Sequence, residues 1–71
     1  MDLFDIDKTE RLSREAAAAK LRALADAISR HNSVEFARAD GRITVAIPDE
    51  VTLKVEVELG SENELEIELT W

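Results

Sequence analysis

The sequence predicts an α+β fold of order β-α-β-β-β-β, an antiparallel sheet with one helix packed on one face, in two layers. Three observations lead there. One stretch, Ser13 to about Arg30, carries apolar residues at helical spacing. Four later stretches alternate apolar and polar residues at period two. Turn residues separate those four, at Asp40-Gly41, at Pro48-Asp49 and from Gly60 to Asn63. The chain has 71 residues, 45% of them hydrophobic, but ten of these are alanines. That is core for one domain, spanning 1–71, with two layers and not three.

The first strand is expected from Leu3 to about Glu10, with Phe4 and Ile6 facing inward, at an edge of the sheet. Ser13 is a natural N-cap, because its hydroxyl can accept an orphan amide of the first turn, and Glu15 complements the positive helix end. Ala17, Leu21, Leu24 and Ile28 then recur at spacings of four, three and four and draw one apolar stripe, opposite Glu15, Arg22, Asp26 and Arg30. Asn32 is suited to a left-handed C-terminal cap.

Val34-Glu35-Phe36 and Ile43-Thr44-Val45-Ala46-Ile47 alternate around Asp40-Gly41, two residues that tolerate positive φ. With Ala39 opposite Arg42, Phe36 faces Val45 and Val34 faces Ile47. Val51 to Leu59 and Leu65 to Trp71 then form two half-buried strands, with glutamates on their other side. Their pairing must keep apolar sides together, so paired positions sum to 122 or 124; only the first sets Lys54 across from Glu68. The four strands are expected as one meander under the helix.

The composition excludes several function classes. Nine Lys and Arg against 16 Asp and Glu give a net charge of −7, and all of it falls in residues 49–71. A surface so acidic disfavours direct nucleic-acid binding. The absence of cysteine removes disulfides, thiol catalysis and thiolate metal sites together. No run approaches the roughly 20 apolar residues that span a bilayer, and the acidic start is unlike a secretory signal. A cytoplasmic protein with no membrane partner is therefore expected.

A further pattern lies in the words of the sequence. The leading short strand, Leu12-Ser13-Arg14-Glu15-Ala16-Ala17 with Leu21-Arg22-Ala23-Leu24-Ala25, His31-Asn32 before Val34-Glu35-Phe36, Ile47-Pro48-Asp49-Glu50-Val51 and the terminal Leu65-Glu66-Ile67-Glu68-Leu69-Thr70-Trp71 together resemble the amphi-Trp domain family. That family is named for amphipathic strands and a tryptophan close to the C-terminus. The resemblance implies a small prokaryotic domain of unknown function. It carries no catalytic residue, cofactor or ligand onto any position here.

Candidate functional residues are few. His31 is the only imidazole, at a helix end where capping accounts for it. No Gly-x-Ser-x-Gly elbow is present, and two glycines cannot make a phosphate-cradling loop. No catalytic residue, no cofactor and no metal site is assigned, and the chain is not expected to be an enzyme. Trp71, in phase with Leu65, Ile67 and Leu69, is expected to close the core; the alternative is an aromatic anchor at a protein interface. Ala37, Ala39, Thr44 and Ala46 share the open face of the first hairpin, where small side chains let a partner approach. Glu56, Glu58, Glu64, Glu66 and Glu68 form a solvated acidic face. The expected function is a small non-enzymatic interaction or structural module. It would associate with itself, as a homodimer, or dock a protein partner through the open sheet face or a sheet edge. The alternative is a cation- or small-ligand-binding domain that uses the glutamate face.

Overall fold

The computed structural model describes residues 3–71 and contains β1 (Leu3–Asp5), α1 (Arg14–Arg30), β2 (Ser33–Arg38), β3 (Gly41–Ala46), β4 (Thr52–Glu58) and β5 (Glu64–Thr70). The α+β class and the β-α-β-β-β-β order are as the sequence predicts. Ser13 caps α1: its backbone is extended (φ −64°, ψ 158°) and its Oγ accepts the Ala16 amide at 3.1 Å. Ala27, which the expected stripe did not include, is the buried centre of the packed helical face, flanked by half-buried Ala23, Leu24 and Ile28. Leu21, expected within the stripe, is exposed. Six residues at about 100° each place it some 120° around the helix from Ala27, at the margin of the packed face. The helix also ends differently. His31, not Asn32, is the C-cap, and it leaves in extended backbone (φ −132°, ψ 150°), its amide donating to the Ala27 carbonyl at 3.2 Å. The chain therefore runs directly into β2 without a left-handed residue.

β1 is shorter than expected because Asp7 takes a left-handed φ of 57° and turns the chain away. One more amide, that of Ile6, still donates to the Ala37 carbonyl at 3.0 Å. The strand lies parallel to β2, with α1 as the crossover, and pairs Phe4 with Phe36; their rings sit 6.2 Å apart and tilted by 47°. This edge position is the one expected. The loop that follows is tied down by charge. Glu10 lies between Lys8, at 3.6 Å, and Lys20 of α1, which donates to its carboxylate. That hydrogen bond from Lys20, with the positive charge of Lys20 and Lys8, holds the Glu10 carboxyl below the usual carboxylate range.

β2 is central, with β1 on one side and antiparallel β3 on the other. Val34 pairs with Val45 and Phe36 with Ile43. This differs by two residues from the expected register, in which Phe36 faced Val45. The connecting loop is Ala39-Asp40, not Asp40-Gly41, and neither loop residue has positive φ; Gly41 alone does, at 141°. A slip of two keeps each side chain on its own face, so the apolar side survives. Val34, at 3% exposure, is the best-buried residue of the described chain.

The expected single meander does not form. β4 and β5 make a separate two-stranded sheet, unpaired with β3. Between them and β3 lies the segment 47–51, where Pro48 has no amide to extend a ladder. Within the hairpin the register is one of the two expected, with Lys54 opposite Glu68, Val55 opposite Ile67 and Glu58 opposite Glu64.

Two stability outcomes follow from this packing. A Cβ at Gly41 meets nothing within 4 Å, so substitution there strains the backbone alone. Gly41→Val should lower stability by about 1–3 kcal/mol in urea titrations, while Ala39→Gly stays close to wild type. Glu10, whose pKa is lowered in the folded state, contributes stability that is present above the unfolded value of about 4.3 and is lost as pH falls through the folded value. The difference in melting temperature between wild type and Glu10→Gln should thus shrink as pH drops below that range.

Candidate functional site

The hairpin of β4 and β5 sorts its residues by alternation. Leu53, Val55, Val57, Leu65, Ile67 and Leu69 take one face; Lys54, Glu56, Glu58, Glu64, Glu66 and Glu68 take the other. The five-residue loop between the strands is closed by Asn63, whose Oδ1 accepts the Gly60 amide at 3.3 Å. Antiparallel pairing then stacks Val55 on Ile67 and Val57 on Leu65, so the apolar residues form one continuous patch.

That patch is open to solvent. Leu53, Val55, Val57, Leu59, Leu65, Ile67 and Trp71 are all more than half exposed, from 53% at Ile67 to 77% at Leu59. Of the hairpin's apolar side chains only Leu69 is half-buried. Trp71, expected to close the core, is 60% exposed. Among the described residues, none forms a second layer over the side of the sheet that Trp71 shares. The indole instead borders an open hollow of about 570 Å³ with Asn32, Ala46, Ile47, Pro48 and Asp49. Contiguous apolar patches above a few hundred Å² mark interaction surfaces on soluble proteins.

The small-residue set behaves otherwise. Ala37 is half-buried on β2 beside β1 and lies opposite Arg42; Thr44 is exposed opposite Glu35. Ala39 sits in the loop, off the strand. Ala46 is exposed at the end of β3 and lines the same hollow as Trp71. The four are thus not one small-residue platform: Ala37 and Thr44, expected to face each other, lie opposite Arg42 and Glu35 instead. Sequence reasoning assigned Leu53, Val55, Val57, Leu65 and Ile67 to the core and missed them as surface. The signal for them was the helix: its stripe is rich in alanine and too narrow for four strands.

The acidic face is a row, not a pocket. Glu56 lies opposite Glu66 and Glu58 opposite Glu64. Lys54 reaches along its own strand to Glu56 at 2.9 Å, although Glu68 is its partner across the ladder. Among the described residues no three His, Asp or Glu side chains converge on a point where an ion would sit. His31 is exposed beside a second hollow of about 300 Å³ that includes Ser29 and Pro48, and the Ser29 hydroxyl donates to the Asp26 carbonyl at 3.0 Å. Among the described residues no helix is long and apolar enough to cross a membrane.

Like charges directly opposite destabilise a ladder by roughly 0.2–1 kcal/mol per pair, and salt screens them. The melting temperature should therefore rise with sodium chloride. Glu66→Lys should stabilise the protein by a similar amount and flatten that dependence, as read by calorimetry from low salt to about the molar range, where the Debye length falls to roughly 3 Å.

Comparison with known proteins agrees with the pattern of amphipathic strands ending in tryptophan. No curated protein and no solved structure matches the chain. The description of the Amphi-Trp domain matches residues 2–71, essentially the whole chain. The chain belongs to the Amphi-Trp domain family.

Proposed function

We propose that this protein is a non-enzymatic interaction module that docks a protein surface, its own or another's, on the apolar face of the β4–β5 hairpin. The single observation behind the reading is the exposure of that face: seven large apolar side chains on one ribbon, backed by glutamates on the other side. An isolated two-stranded hairpin is marginal in water, and three or more strands or a covering layer are needed for independent stability. A docked partner supplies that layer. The surface proposed from sequence, around Ala37 and Thr44, is replaced by this one, while Trp71 and Ala46 stay as its margin. In this reading the glutamates keep the other face wet and solvated. The setting is the prokaryotic cytoplasm, where a cysteine-free domain needs no disulfide to fold.

The test compares two substitutions on opposite faces of the same hairpin. Val55→Glu places a charge in the apolar patch; Glu66→Lys alters only the acidic face. Complexes of the tagged chain, with itself or with another protein, should be retained by wild type and Glu66→Lys. Val55→Glu should lose them at unchanged helical circular dichroism. Complexes that survive Val55→Glu would overturn the assignment of this surface.

A further inference from the structure

We infer that the occupant of the β4–β5 apolar face is a second copy of this chain, the two ribbons stacked apolar face to apolar face about a two-fold axis. This rests on the interaction reading above and names its partner. The first support is area. The chain exposes 6267 Å² at a mass of 7.9 kDa, where a compact monomer of that mass exposes about 4400 Å². The excess, about 1850 Å² per chain, belongs to the open shape of the whole chain and is large enough to contain the roughly 800 Å² per partner of a standard complex. The radius of gyration, 13.5 Å, is likewise above the roughly 11 Å of a compact chain of this length.

The second support is the chemistry of the face. Leu53, Val55, Val57, Leu65 and Ile67 offer neither charge nor hydrogen bond, so the face accepts only a dry, uncharged surface. A copy of the chain presents one of the same size and curvature, which is what an isologous interface requires. Charge is the third. Each copy carries −7, which opposes association, but the hairpin glutamates all project from the opposite face. Stacked sheets pack about 10 Å apart, and the two acidic faces then point outward from that stack, farther apart than the Debye length of roughly 8 Å. Pairing the ribbons edge to edge would instead set the acidic rows side by side, with strands about 4.8 Å apart.

The experiment is sedimentation equilibrium on the wild-type chain, with hydrophobic-dye binding and Trp71 emission read on the same samples. The expected mass is twice the 7.9 kDa of one chain, falling to one chain on dilution as the Trp71 emission shifts to the red. Mixed labelled and unlabelled chains should show intermolecular contacts between the apolar residues of β4 and β5, which tests the interface without any variant. Ile67→Glu should shift the dimer dissociation constant at least 100-fold, and Glu66→Lys should not weaken it. A monomer that binds the dye strongly would overturn the second copy as occupant and leave the interaction reading standing with a different protein. A monomer that binds no dye and emits in the blue would mean that the face is closed within one chain, overturning both. Intermolecular contacts confined to α1 or β3 would overturn the stacked-ribbon interface.

Discussion

One helix can cover only so much sheet. An α-helix with its side chains is about 10 Å across, and strands are spaced about 4.8 Å apart, so α1 shelters little more than two strands. It packs on β2, and the neighbours that gain from that contact are β1 and β3. Every other feature of the fold answers to this limit. The best-buried side chains, Ala27 and Val34, lie where the helix meets the central strand. The apolar residues of β4 and β5 lie beyond the helix and, Leu69 apart, are left exposed among the described residues. Unfolded, a chain of this mass exposes about 11,500 Å², so the observed surface means that folding hides only about 45% of it, against about 60% for a self-sufficient domain of this size.

How much was legible in the sequence depends on which constraint was local. The strands of residues 52–58 and 64–70 were readable because alternation is a property of the chain itself. Their register was narrowed to two, because parity forbids odd sums and the loop leaves few even ones, and the structure takes the one with Lys54 opposite Glu68. The β2–β3 register came out two residues away because it turned on the conformation of one glycine. Asp40-Gly41 reads as a turn of two positive-φ residues, but only Gly41 adopts that conformation. Faces survived the error and neighbours did not, which is why Ala37 and Thr44 no longer share a small-residue platform. Trp71 shows the other limit. Periodicity correctly puts it in phase with Ile67 and Leu69, but burial requires a second layer, and alternation says nothing about what supplies it.

The distribution of charge has the same origin. Residues 1–48 balance eight acids with eight bases, and the whole net charge resides in 49–71. In the folded chain this becomes a two-sided ribbon, with one face uncharged and the other dense in carboxylate. Lys54 turns to Glu56 on its own strand and offsets part of the Glu56–Glu66 repulsion, while the Glu58–Glu64 pair keeps its like charges opposed. Such an arrangement lowers the stability of the isolated hairpin. It makes sense where the apolar face, not the ladder, supplies the stabilising interaction.

β3, β4 and β5 each leave one side of their ladder unpaired, and unpaired edges invite further strands and open-ended growth. In β4 and β5 the charged alternate residues Lys54, Glu56, Glu58, Glu64, Glu66 and Glu68 guard those edges, because an added copy would lay its glutamates beside them. The apolar face carries no such guard, which is why the proposed association uses it. Once two ribbons are stacked, both outward faces are acidic and a third copy finds no dry surface to join. In the proposed stack, the same glutamates that weaken the hairpin as an isolated element set the number at which assembly closes.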